Sequence, residues 1–449
     1  MLIFILSARM SDRTYFPAIL LAGLIFVQPV SSQTRPALQS FPELVPLPSS
    51  QQLSTMREPL PVETIVDAAL EFSGASEASA AEAKDKLVGL LRRFRDEVSD
   101  VTEQAALGER ALVFIHKNLL TTYAVLQTRV DTALDTGVFN CVSSAVLYMI
   151  VARSVGLSVS GVRTSDHAFC SVLVNGQQVD VETTNPDGFN PGAKKEFTDS
   201  FGRVTGFRYV PPGHYGDRRA IGEKELLSLI LYNRVSEYGD SRFFKDALQP
   251  AVSAYALIGS DEMRTVMGIA FTNYVTSLGV RQDYPQAVQF MEAVKASFGG
   301  IVDLSQPRRD MYHNWVVSLI DGNSILDADA LLLQPGTKAA LDDADWANLS
   351  VVVVQQRAQA EVEMGGFLAA AAIVIDAMTR VGRVQPLLQT YEAYMHNAFA
   401  QLYNARKLAN AKAVLDQGMA AYPESRMFQQ DVELLKKASR PNPSRTPMQ

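Results

Sequence analysis

One stretch limits what this chain can fold into. Gly137-Val138-Phe139-Asn140-Cys141 opens an almost wholly apolar run, residues 142 to 155, that stops at Gly156. A run of that length with no polar face predicts a helix buried in a core. Asn140 is its cap, and Gly156 stands just past its end. Residues 157 to 162 then alternate apolar and small side chains, as a strand does. A hairpin follows with arms at 167–174 and 177–184, because Asn175-Gly176 is the pair that a type I′ turn prefers.

The hairpin register sorts the polar residues by face. A two-residue loop at 175 and 176 sets 174 opposite 177, 171 opposite 180, 169 opposite 182 and 167 opposite 184. His167, Asp180 and Glu182 therefore share a face. Glu182 is one diagonal step from His167, within reach of a long side chain, whereas Asp180 lies opposite Ser171 and further off. Glu182 is the preferred partner of His167 and Asp180 the alternative acid. Asp166 is adjacent in sequence but points to the other face.

Cys141 begins the buried helix, where unpaired amides carry partial positive charge and favour thiolate. A histidine within reach of the thiol can hold its proton and deliver it to a leaving group, and an acid behind the imidazole fixes the tautomer. Cys141, His167 and Glu182 thus form a candidate triad for acyl transfer. The backbone amide of Cys141 is one candidate oxyanion donor and the Asn140 side chain is a candidate for a second. The only other cysteine is Cys170. In an exported protein two cysteines suggest a disulfide, but Cys170 occupies an even position on the arm of His167 and faces away from it. A small core residue is the plainer reading of Cys170.

These pieces resemble the transglutaminase-like, papain-related superfamily over about eighty residues, from Leu120 to roughly Phe201. The resemblance rests on the order of Gly137-Val138-Phe139-Asn140-Cys141, Asp166-His167-Ala168-Phe169 and Val181-Glu182-Thr183-Thr184. It implies an α+β domain, a helix on a small antiparallel sheet, with Cys141 as nucleophile, His167 as base and Glu182 as third member. The chain departs from the family in carrying Glu-Thr-Thr where an Asp-Pro-Thr context is usual. It also has Phe169 where tryptophan often follows the histidine by two residues.

The rest of the chain suggests export and docking. Arg13, the apolar run 16–30 and the small residues Ser31 and Ser32 form a signal-peptide pattern over residues 1–32. Cleavage near Ser32 is expected, with a retained signal anchor as the alternative and the only contact with a membrane. No later segment is expected to span one. Neither cysteine is placed for lipidation, so the expected location is the periplasm or cell envelope without a lipid anchor. Residues 33–60, rich in Pro, Ser and Gln, read as a flexible linker. Helical patterns at 62–72, 80–95 and 102–120 begin a domain spanning 61–218.

From 219 to 438 the pattern is almost wholly helical, with an aromatic or leucine three residues before an alanine at Phe244/Ala247, Tyr284/Ala287 and Leu408/Ala411. Pro423 follows Ala411 at the spacing of a tetratricopeptide unit. The expectation is an all-α domain of degenerate helical repeats, interrupted at Pro335-Gly336, with a disordered tail at 439–449. Helical repeats dock protein partners.

At 449 residues and 47% hydrophobic, the chain is long enough for two or three domains. A net charge of −7 gives no footprint for nucleic acid, and Arg92, Arg93 and Arg95, balanced by Asp96 and Glu97, read as a solvated helix face. His214 reads as a surface-loop residue. His116, His313 and His396 sit in helical patterns without neighbours at metal-ligand spacing, so no metal or cofactor is expected. The expected function is a thiol hydrolase or acyltransferase acting on an amide or ester of a protein or peptide. The alternative is a catalytically silent scaffold that binds an envelope protein.

Overall fold

The structure, a computed structural model, describes residues 41–193, 197, 202, 203, 205 and 217–438. The chain is mostly helical, with small sheets and a helical C-terminal region. Helices α1 (Pro48–Thr55), α2 (Val62–Ser73), α3 (Glu77–Glu97), α4 (Gln104–Asn118) and α5 (Val130–Thr136) precede α6 (Cys141–Arg153). Strands β1 (Thr122–Tyr123) and β2 (Val138–Phe139) pair in parallel. An antiparallel sheet runs in the order β5 (Gln177–Val181), β4 (Ala168–Val174), β3 (Val159–Arg163), β6 (Arg219–Ile221). Helix α7 (Glu223–Asp240) follows β6.

The apolar run becomes α6, and every residue from Val142 to Ala152 is buried. It packs against β3 and β4 on one side and α4 and α7 on others, which is why no polar face was needed. Each large apolar side chain so covered contributes about 1.5–3 kcal/mol relative to exposure. The helix starts at a reciprocal cap. Asn140 Oδ1 accepts from the amides of Val142 and Ser143, both at 3.0 Å, and Ser143 Oγ accepts from the Asn140 amide at 2.9 Å.

The hairpin adopts the register expected of its turn. Val174 pairs with Gln177 and Ser171 with Asp180. Asn175 and Gly176 have φ of 49° and 84°, the pair of positive values that a type I′ turn requires. The second arm leaves the ladder after Val181, and the amide of Glu182 donates to the Gly188 carbonyl at 2.8 Å instead of to β4.

Two expectations about segment boundaries are corrected. The linker placed at 33–60 carries structure from Phe41 onward: α1 lies within it, and Leu53 and Leu60 are fully buried in the same core as α6. Its Pro- and Ser-rich composition hid two apolar anchors. The domain boundary placed at 218/219 falls later. One compact unit contains the described residues up to Ser277 together with Gln289–Asp303; the other holds Leu278–Val288 and the described residues from Leu304 on. The physical reason lies in α7, whose Leu226, Leu227, Leu229, Ile230 and Leu231 are buried in the core of α6.

In the second unit, Leu408–Ala421 begins at the expected Leu408/Ala411 signature, and Ala411 is fully buried. Pro335 opens a short helix, Pro335–Ala340, instead of breaking one. Helix Asp343–Val381 is long and apolar enough to cross a membrane by length and composition, contrary to the expectation of no such segment. It is kinked at Gly366, whose φ is 80°, and its Ala358, Ala370, Val374 and Ala377 are fully buried among neighbouring helices. Residues 1–40, His214 and the tail from 439 lie outside the described residues, as do the signal peptide and the first part of the linker.

Candidate active site

Three elements meet at the N-terminal end of α6. The helix supplies Cys141 at its first position. The turn from β3 into β4 supplies His167, fixed by its own backbone: its amide donates to Thr164 Oγ1 at 3.1 Å and its carbonyl accepts from the Thr164 amide at 2.9 Å. The residue just after β5 is Glu182. His167 Nε2 and Glu182 Oε2 are 2.7 Å apart, with side chains 12% and 4% exposed.

The side chain of Cys141 also acts on the imidazole. With Nε2 committed to Glu182, Nδ1 is the nitrogen that can serve the thiol. Burial opposes a charge on His167. The carboxylate of Glu182, the side chain of Cys141 and the hydrogen bond to Glu182 outweigh that opposition, so its pKa stands well above the ordinary histidine value. The ring stacks on Phe169, centroids 6.0 Å apart, and the guanidinium of Arg218 lies 5.2 Å over the other ring of that stack. Phe169 thus forms a shelf under His167 at the position where the family resemblance would have put an indole nearby.

Glu182 is held at both oxygens. Oε2 faces His167, and Oε1 accepts from the Thr184 hydroxyl at 2.7 Å and the Thr184 amide at 3.2 Å. The next residue, Thr183, shares a hydrogen bond with Ser144 of α6 at 2.9 Å, and its carbonyl accepts from His116 Nε2 at 3.0 Å. Burial, only partly offset by that carbonyl and by Glu182, lowers the His116 pKa to about 4. His116 is therefore neutral near physiological pH and acts as a hydrogen-bond donor that anchors the strand end. Each residue of Glu-Thr-Thr has a separate positional task.

The other expected candidates go elsewhere. Asp180, the alternative acid, is engaged by both Arg218 Nη atoms at 2.8 and 2.6 Å and stays opposite Ser171, away from His167. The oxyanion support expected of Asn140 is not the work of its side chain: Oδ1 caps α6, and Nδ2 donates to the Val125 carbonyl at 3.0 Å. The backbone amide of Cys141 has no hydrogen-bond acceptor among the described residues. Both cysteines are free, which removes the disulfide alternative. The Cys170 sulfur lies 3.3 Å from the Ala145 carbonyl, on the core side of the sheet. Among the described residues no cluster of three side chains could hold a metal ion.

A groove opens over Cys141 and His167. One wall is Tyr123, Val125 and Leu126, the last two exposed apolar side chains. The other is α7, through Leu229, Tyr232, Asn233, Ser236 and Glu237. Arg163 also lines it, with its charge taken up by Glu262 at 2.9 and 2.5 Å. Sequence reasoning missed Tyr123, Thr184 and the α7 wall. Thr184 had a readable signal, since a hydroxyl residue two positions after a carboxylate commonly closes a local turn onto it.

Compared with known proteins, the chain matches no family model, no curated protein and no solved structure.

Proposed function

We propose that the chain is an exported thiol acyltransferase or hydrolase of transglutaminase-like, papain-related type, with a tetratricopeptide-like helical region that docks a protein partner. The observation that carries the proposal is that Cys141 and His167 line one groove while His167 is hydrogen-bonded to the buried Glu182 at 2.7 Å. Glu182 supports the imidazolium, His167 supports the thiolate, and Phe169 and Thr184 fix the two in place.

The Cys141 sulfur attacks the carbonyl carbon of an amide or ester, forming an S–C bond while the carbonyl π pair moves to oxygen. The N–H of Cys141 is available to that oxygen. As the pair returns, the bond to the leaving amine or alcohol breaks, and His167 donates its proton to that group. Water or an amine then attacks the thioester carbon while giving a proton to His167, and the C–S bond breaks to return the Cys141 thiolate, giving hydrolysis or transamidation. The chemistry draws on the chain's own residues. The groove has an apolar lip and a polar α7 wall, which suits a peptide or protein segment bearing the reactive group.

The test is intact mass after brief exposure of the purified chain to iodoacetamide at about pH 7, in wild type, Cys141→Ala and His167→Ala. One adduct is expected in wild type and none in Cys141→Ala, with the rate reduced by about tenfold or more in His167→Ala. Equal, slow labelling of wild type and His167→Ala points instead to the silent binding scaffold.

A further inference from the structure

Strand β1 has two residues, Thr122 and Tyr123, yet the segment around it is tied closely to the start of α6. Tyr123 pairs with Phe139, two residues before Cys141. The Ala124 amide donates to the Phe139 carbonyl at 2.8 Å, and Gln127 Nε2 donates to the Val138 carbonyl at 2.8 Å. Asn140 Nδ2 donates to the Val125 carbonyl at 3.0 Å, and Ser143 Oγ donates to the Gln127 carbonyl at 3.2 Å. So short a ladder has little stability of its own. These bonds fix one side chain, Tyr123, with respect to the end of the helix.

The Tyr123 ring stands edge-on to Phe139, with centroids 5.7 Å apart and planes at 84°. It is half-buried and lines the groove with Cys141 and His167. Its hydroxyl and the Cys141 side chain are close enough to act on each other electrostatically. A tyrosine present only for packing needs its ring and nothing more, and the hydroxyl of a half-buried ring at a groove can be satisfied by water. Here it stands beside Cys141 and His167, in the groove that a substrate would enter.

We propose that Tyr123 is a catalytic hydroxyl of this site: it donates a hydrogen bond to the Cys141 sulfur at rest and to the substrate's carbonyl oxygen once that sulfur is bonded to carbon. The inference rests on the acyl-thioester reading. In the resting site the sulfur holds the electron pair that accepts the bond. Attack turns that pair into the S–C bond, and the π pair arriving on oxygen becomes the better acceptor. The O–H bond of Tyr123 is not broken. Burial, followed by the neighbouring charges of Cys141 and Glu182, holds the phenol well above the ordinary tyrosine range, so it remains a donor throughout. Together with the N–H of Cys141 it makes the two-donor arrangement that a tetrahedral oxyanion needs.

Two probes read by intact mass separate this role from packing. Iodoacetamide alkylates the thiol at a saturated carbon and builds no oxyanion, whereas p-nitrophenyl acetate acylates it through one. Tyr123→Phe keeps the ring against Phe139. We expect its acetylation rate to fall by about tenfold or more and its alkylation rate by no more than about threefold. Taking the ratio in one sample cancels any unfolded fraction, and a second adduct at Cys170 would reveal it. An unchanged ratio of the two rates in Tyr123→Phe, with His167→Ala slow toward both probes, overturns the inference alone. Equal labelling of wild type and His167→Ala by both probes removes the acyl-thioester reading and the inference with it.

Discussion

His167 meets Glu182 at 2.7 Å, and His396 meets Asp431 at 2.8 Å. Each carboxylate is almost wholly covered, with side chains 4% and 2% exposed. The first pair lies at the end of a buried helix, with a thiol that acts on the imidazole and a groove lined by both. The second joins helices Gln385–Asn404 and Arg426–Ala438 in the C-terminal unit, while both cysteines belong to the other unit. Burial of the Asp431 carboxyl raises its pKa, and the bond from His396 opposes the rise. A histidine against a buried carboxylate is therefore a structural latch by default. A third group, placed where the imidazole can reach it, distinguishes the pair at Cys141.

The strongest test of this contrast is to neutralise each carboxylate. Glu182→Gln should slow iodoacetamide labelling of Cys141 by at least about tenfold, since the imidazole loses its orienting charge. Asp431→Asn should leave labelling unchanged while lowering unfolding stability by about 1–3 kcal/mol. Equal labelling rates for the two variants would erase the distinction between the pairs.

A smaller effect is expected in the pH dependence of stability. Folding raises the His167 pKa above that of the free side chain, about 6.5. The stabilisation it brings is complete below about pH 6.5 and is lost as pH rises through the folded value. The denaturation midpoint of wild type should exceed that of Glu182→Gln by more at about pH 5.5 than at about pH 9.5. A gap that widens with rising pH would reverse the assigned sign.

The smallest effects concern the residues around the carboxylates. Thr184→Val removes the hydroxyl donor to Glu182 Oε1 and should cost about 1 kcal/mol, with labelling slowed by about two- to threefold. Asp180→Asn breaks a pair with Arg218 that has no bond to His167, so stability should fall by about 1 kcal/mol or less and labelling should not change. A larger labelling defect in Asp180→Asn than in Thr184→Val would restore Asp180 as the working acid.

Local rules carried the sequence reading where neighbours in the fold are neighbours in the chain or are linked by a fixed turn. Asn140 announced the start of α6 and Gly156 its end. Asn175-Gly176 set the register, and the register selected Glu182 over Asp180. What escaped was contact without periodicity. The two residues of β1 are too few to show alternation, and their parallel partner lies across an intervening helix, so Tyr123 gave no signal. Helix α7 was recognisable as a helix, but its apolar face does not name the core that covers it, and it was assigned to the repeats. The Pro- and Ser-rich start of the described chain resembled a linker because Leu53 and Leu60 are single anchors in a polar setting.

The turn at Asn175-Gly176 is far along the hairpin from the groove, yet it sets the register of β5, whose last residue, Val181, leads directly into Glu182. For the history of such a chain, this makes residue count matter more than residue identity at that tip. Replacing Asn175 or Gly176 by another turn-former preserves the triad, whereas gaining or losing one residue there would turn Glu182 away from His167 while leaving the same amino acids in the site. Descendants of this sequence can vary freely in loop chemistry at the tip, but they cannot drift in its length by single steps and keep the triad together.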